Sequence, residues 1–327
     1  MAMATTADAA IPARIDKLSA RVWRSLKGNR LAMGGMAVLI LFFVAAFLGW
    51  LGTSGDSPLF DPTTVRLPDK LKPPLSRPSA DVIPAAELPI LGLYPLGTDE
   101  LGRDVFARML EGAKVSLAVG FVSVGIAILL GVTLGGMAGY LGQRWRWVDT
   151  VFLTLVDIQL SFPTFFLILT VIAVLSPSIW NIMIVIGITG WVGPARFVRA
   201  EILSLREQEF VLAAQSLGAG AVRLVFRHLL PNSMGPVMVS ATLGIASAIL
   251  TEAGLSFLGF GVPPPDATWG NILSSGKNYL FDAPWLTFVP GIAILVVVLA
   301  FNLFGEGLRD ALNPKLQGEG ASKFAQV

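Results

Sequence analysis

The chain has 327 residues, 54% of them hydrophobic and 14% charged, with a mean hydropathy of +0.70. That is too apolar for a water-soluble domain of this size, so a bilayer is the expected solvent. A net charge of +2 gives no basic footprint for nucleic acid, and the absence of cysteine together with a single histidine, His228, excludes a disulfide framework, a thiolate nucleophile and any metal centre built from several Cys or His ligands.

The arm at 1–30 places Arg14, Lys17, Arg21 and Arg24 beside Ile15, Leu18, Val22 and Leu26, the pattern of an amphipathic helix lying in the cytoplasmic interface. Six runs beyond it are long enough to cross about 30 Å of hydrocarbon at about 1.5 Å per residue. The first, 31–51, carries no charge and is too long for a signal-peptide core, which makes it an uncleaved anchor. A connection at 52–112, Pro-rich in its middle, reads as an irregular external loop. The core at 113–308 holds five spans near 115–140, 148–175, 179–198, 234–250 and 286–304, and 309–327 forms a tail. The expected fold is an all-α membrane protein with six transmembrane helices.

Orientation follows from the bases, because short cytoplasmic loops retain Lys and Arg. Arg144 and Arg146 follow the second span, and Arg196, Arg199, Arg206, Arg223 and Arg227 follow the fourth. The connection at 176–178 has no charge, and Lys277 is the only base in the external loop at 251–284. Both termini are therefore expected in the cytoplasm.

Within the second span Ser116, Gly120, Ser123, Ala127, Gly131, Gly135 and Gly139 recur at three- and four-residue steps. Such a stripe lets helix backbones approach in lipid, where hydrophobic burial gives no gain. Ser240, Gly244 and Ala248 repeat it in the fifth. In the third, Asp149, Thr150, Thr154, Asp157 and Ser161 share a side. Two accounts stay open: the stripe lines an aqueous pathway, or its acids pair with Arg144, Arg146 or a neighbouring subunit. Glu252, near the outer end of the fifth span, is expected at the water interface.

The cytoplasmic loop at 200–232 contains EFVLAAQSLGAG at 209–220. Its composition predicts a short helix over 209–217, ended by Gly218, and a second helix over 222–230 before Pro231. Ala213 and Ala214 give the first helix a shallow face for a partner's groove. Arg223 and Arg227, one turn apart, share a face of the second, with Val225, Phe226 and Leu229 turned to the bundle. Neither a GxxxxGK loop for phosphate nor a catalytic triad occurs in the chain, so no enzymatic chemistry is expected on it.

At Ala213, Ala214, Gly218, Leu230 and Pro231 the chain resembles the membrane subunits of binding-protein-dependent ABC importers, whose signature has these residues at this spacing. It departs at Leu212, where the signature has Glu, and at His228; Glu209 is the nearest carboxylate to the missing one. LGTDELGRDVFARMLEGAKVSL at 96–117 and EAGLSFLGFGVPPPDATWGNIL at 252–273 narrow the resemblance to C-type subunits of the dipeptide, oligopeptide and nickel permease group. The resemblance implies a type I importer fold in the bacterial plasma membrane and a heterodimer with a B-type permease. It further implies two ATPase subunits that bind ATP and Mg²⁺, an external solute-binding protein, and a coupling loop holding Glu209, Ala213, Ala214, Gly218, Arg223, Arg227 and Pro231. Peptide is favoured over nickel as solute, because the one histidine lies on the cytoplasmic side. An ion-coupled transporter or channel is the rival reading, for which inverted repeats would be expected.

Overall fold

A computed structural model describes residues 18–55 and 58–312, which are helical with irregular connections and contain no strand. Arg14, Ile15 and Lys17 of the arm and residues 313–327 of the tail lie outside the described residues. The helices are α1 (Leu18–Gly28), α2 (Arg30–Thr53), α3 (Val105–Leu141), α4 (Arg146–Leu160), α5 (Thr164–Val174) and α6 (Ile179–Thr189), followed by α7 (Val192–Leu205), α8 (Glu209–Ser216), α9 (Ala221–Arg223), α10 (Leu230–Phe257), α11 (Trp269–Gly276) and α12 (Trp285–Leu312). Five helical segments are long and apolar enough to cross a membrane, and the bent pair α4–α5 makes a sixth if it counts as one span.

Asn29 starts α2 by accepting the Leu31 and Ala32 amides, each at 3.1 Å. The apolar side of α1 faces the bundle, where Val22 and Leu26 pack with Ala32 of α2 and with Leu308 and Ala311 at the end of α12. At the centre α3 packs against α2, α6, α7 and α10. Its small-residue stripe is buried along its whole length. Gly120 meets Ile245 and Ile249 of α10, and a Cβ on Gly135 would collide with the Ala195 carbonyl of α7. The stripe thus lets one helix serve two neighbours in turn. α3 has 37 residues, about 55 Å of helix, so it projects well past a ~30 Å hydrocarbon layer and starts at Val105 rather than near 115.

The predicted third span is not one straight helix. α4 and α5 meet at 82°, because Pro163 supplies no N–H and turns Phe162 away from helical geometry. The fourth span breaks after Thr189 and runs on to Leu205, beyond the predicted end near 198. The loop's second helix does not stop before Pro231 either. It continues through a π turn at Leu224–Leu229 into α10, with the Leu230 amide reaching back five residues to the Val225 carbonyl. That wider turn takes up the proline, whose ring would otherwise crowd the preceding turn.

The connection from 58 to 104 is irregular but well tied. Isolated bridges join Ser76 to Tyr94 and Thr98 to Asp104. Buried Asp69 accepts from the Tyr94 hydroxyl at 2.6 Å and the Ser79 amide at 3.1 Å, and pairs with Lys72 Nζ at 2.7 Å. Burial pushes the Asp69 carboxyl up, but these bonds outweigh it and hold it below the ordinary carboxylate range.

Candidate functional site

Three regions carry the sequence-predicted site residues, and the first is the α8 loop. Val211 anchors α8 from below, fully buried with Val198 and Ile202 of α7, Leu224 and Leu229 of the π turn, and Val237 of α10. The helix ends in a Schellman motif: the Gly218 amide donates to the Gln215 carbonyl at 2.9 Å and the Ala219 amide to the Ala214 carbonyl at 3.0 Å. Gly218 sits at φ +82° with open space around its Cα, so backbone conformation and not crowding demands glycine there. Arg206 fixes the loop's entry by donating to the Gly139 and Tyr140 carbonyls at 3.3 and 3.2 Å.

The two alanines differ. Ala213 is exposed, whereas Ala214 is half-buried against the Val211 cluster. Glu209, Arg223 and Arg227 are exposed around them. Phe226 points outward at 68% exposure, not toward the bundle as its periodicity suggested, and Val222 and Leu217 stand out at 73% and 89%. Leu212, in the signature's Glu position, is also exposed, and His228 lies against Phe210 with ring centroids 6.5 Å apart. A shallow groove of 820 Å³ runs beside these groups, floored by Gly220, Ala221 and Pro231 between Arg223 and Arg227. Exposed apolar side chains and arginines are thus clustered on one outer face of the loop.

The second region is a cavity of 1210 Å³ walled by α3, α5, α6, α7, α10 and α12. Its lining is mostly aliphatic, interrupted by the hydroxyl residues Ser123, Thr164, Thr189, Ser240, Ser247 and Thr251, with Glu201 and Arg309 also contributing. Ser123 Oγ is buried without a partner. The small residues of α10, Ser240, Gly244 and Ala248, line this space, so they do more than seat a neighbouring helix. Asp157 and Ser161 do not line it. Both are exposed at the α4–α5 bend, where Ser161 Oγ donates to the Asp157 carbonyl at 2.7 Å. Asp149 pairs bidentately with Arg199 of α7, at 2.7 and 2.8 Å, in place of Arg144 or Arg146.

The third region lies at the α11 end. Glu252 is buried rather than solvated: its Oε1 accepts from Ser256 Oγ at 2.7 Å and Thr268 Oγ1 at 2.9 Å, while Oε2 has no partner. It therefore stands behind the N-cap of α11, facing away from the cavity that its neighbour Thr251 lines. The two sequence stretches at 96–117 and 252–273 meet here. The Ala267 amide donates to Glu111, the Trp269 amide to Ser116 Oγ, and Arg108 to Asn271. Asp99 is the hub: it accepts the Leu101 and Arg103 amides, each at 2.9 Å, and pairs with both Arg103 and Arg108. Sequence reading missed Asp99, whose partners lie within nine residues but in an irregular connection with no periodicity to read, and missed the Arg108–Asn271 contact and the hydroxyl lining, which join residues distant in the chain.

A multi-pass helical bundle with a projecting, glycine-elbowed loop and a walled cavity defines a membrane transport subunit. The family of binding-protein-dependent transport system inner membrane components matches residues 117–318, and the N-terminal transmembrane domain of oligopeptide transport permease C matches 17–74. The chain belongs to the first of these families. The dipeptide transport system permease of Alkalihalophilus pseudofirmus is 40% identical over 295 residues, covering 90% of this chain and 89% of its own. The oligopeptide transport system permease of Bacillus subtilis is 37% identical, covering 93% of each chain. The di/tripeptide transport system permease of Pseudomonas aeruginosa is 38% identical, covering 90% and 91%. An inward-facing MetNI methionine ABC transporter shares the fold at a TM-score of 0.50 and 18% identity, over 64% of this chain and 98% of its own.

Proposed function

We propose that the chain is the C-type membrane subunit of an ATP-driven importer in a bacterial plasma membrane and, with a B-type partner, encloses the path of di- and oligopeptides. The names of the relatives support the substrate class. The bases at the α8 end and the uncharged α5–α6 connection support six spans with both termini cytoplasmic, α4 and α5 forming one bent span. The chain itself is non-catalytic. Two ATPase subunits, holding ATP and Mg²⁺, dock on the loop of Glu209, Ala213, Gly218, Arg223, Arg227 and Pro231, and an external solute-binding protein delivers peptide.

One observation carries the mechanism: α8 is continuous in packing with the cavity's walls. Val211 is wedged between α7 and the α10 segment, and both helices line the cavity. Close-packed interiors transmit displacement instead of absorbing it, so ATPase closure that pushes α8 must move α7 and α10 together, and alternating access follows as rigid-body rocking. Aliphatic walls accept varied side chains, while scattered hydroxyls hydrogen-bond the peptide backbone that all substrates share.

Proteoliposomes containing the chain with its co-purified partners test the reading. Uptake of a labelled dipeptide should require ATP inside the compartment where the ATPase lies and the receptor outside. Uptake driven by an ion gradient without any ATPase would contradict it and favour a secondary transporter.

A further inference from the structure

A separate cavity of 460 Å³ lies in the connection between α2 and α3, lined by Phe60, Asp61, Thr64, Arg66, Leu88 and Asp104 among others. Arg66 and Asp104 are each only 5% exposed. They carry opposite charges and both line the cavity, yet they do not close into an ion pair. Each is fixed elsewhere. The Arg66 amide donates to the Leu101 carbonyl at 3.0 Å and its Nε to the Glu87 carbonyl, which leaves Nη1 buried without a partner. The Asp104 carboxylate caps α3 through the Phe106 amide at 2.8 Å. Separated, buried opposite charges are costly to hold, and an unpartnered guanidinium nitrogen asks for an acceptor.

The Asp61 carboxylate also lines the cavity, but its oxygens are already occupied by local donors. Asp61 accepts from the amides and hydroxyls of both Thr63 and Thr64. The Glu87 side chain is exposed to solvent. Of the charged groups in the lining, the two that are buried are therefore one cation, Arg66, and one anion, Asp104, which favours a ligand carrying both charges over a simple anion or cation. Leu59, Ile90 and Leu91 surround the opening and are 50 to 62% exposed, so an apolar side chain would find contact there.

We propose that this cavity is a binding site for a small apolar zwitterion of the amino acid or dipeptide class, its carboxylate on Arg66 and its ammonium on Asp104. The site is distinct from the large cavity between the membrane helices and shares no lining residue with it.

The test is equilibrium binding of labelled leucine and, separately, leucyl-leucine to the full chain, co-expressed with its partner subunits and held in lipid nanodiscs. At least one should bind saturably, and N-acetyl-leucine or leucinamide, each lacking one charge, should compete at least about tenfold more weakly, as expected for loss of a charged hydrogen bond. Arg66→Lys and Asp104→Asn, the latter retaining an α3 cap, should each weaken binding by a similar factor when measured on the folded, partner-bound fraction of each variant. No saturable binding up to about 10 mM, where affinity is too weak to matter, would overturn the site. So would equal competition by the blocked analogues against the unaltered chain, which needs no variant to fold, or binding indifferent to Arg66 and Asp104, which would place the ligand in the larger cavity.

Discussion

The connection at 58–104 and the α8 loop are both polar segments between apolar helices, but they are built on opposite plans. In the first, buried carboxylates are met by donors: Asp69 by Tyr94, Ser79 and Lys72, Asp99 by two amides and two arginines. In the second, Val211, Leu224 and Leu229 enter the core while Leu217, Val222 and Phe226 face outward with Arg223 and Arg227. A segment whose buried carboxylates are met by its own donors is held in shape from within, whereas one that leaves apolar surface exposed offers it to a partner. Variants in the first should cost stability, and variants on the outer face of the second should cost assembly.

The largest effect is expected at Asp99. Asp99→Ala leaves the buried Arg108 guanidinium without its carboxylate, and breaking a buried pair in this way costs about 3–5 kcal/mol. Thermal unfolding in detergent should show a large drop or no folded protein; a midpoint within a degree or two of the parent would break the comparison at its stronger end. Asp99→Asn, which can still accept from the Leu101 and Arg103 amides, should fall between.

Gly218→Val comes next. A β-branched residue at φ +82° costs on the order of 1–2 kcal/mol, and with nothing near the Cα the cost is one of conformation alone. The chain should remain folded while peptide-stimulated ATP hydrolysis and uptake come apart. Gly218→Asn, which tolerates the left-handed region, should restore most coupling, and failure of Asn to do better than Val would remove the backbone explanation.

A smaller, pH-dependent effect is expected from Asp104. Burial raises its carboxyl from 3.8 to about 6, so the folded state holds a proton that the unfolded state releases between those values. Stability from this group is gained as pH falls through about 6 and is lost as pH rises through it. Between pH 7 and 5 the unfolding midpoint of the parent should rise more than that of Asp104→Asn; identical slopes would contradict it.

How much of this was legible depends on whether the determinant was local. Gly218 could be read because a helix end is decided within five residues, and the stripe on α3 because period and residue size suffice. The 82° bend at Pro163 was hidden because the residues on both sides of it together make a run long and apolar enough for a single span. Glu252 read as solvated because its partner Thr268 is 16 residues away, and Asp149 could not be assigned to Arg199, 50 residues on. The opposite environments of Ala213 and Ala214 turn on the rotation of an eight-residue helix, too short for periodicity to fix. Hydroxyls scattered through apolar spans showed no cavity until the helices were placed around it.

The smallest expected effect on stability is also the most direct test of the central claim, that the outer face of the α8 loop is a docking surface. Phe226→Ser and Ala213→Glu change exposed positions and should leave the unfolding midpoint nearly unchanged, since surface substitutions usually fall within about 0.5 kcal/mol. Capture of the tagged ATPase by solubilised permease, with recovery of the B-type partner as control, is the measurement. The account predicts that both variants keep the B-type partner and lose most of the ATPase, while Ala214→Glu, half-buried against the Val211 cluster, loses folded protein first. Full ATPase capture by Phe226→Ser and Ala213→Glu would contradict it.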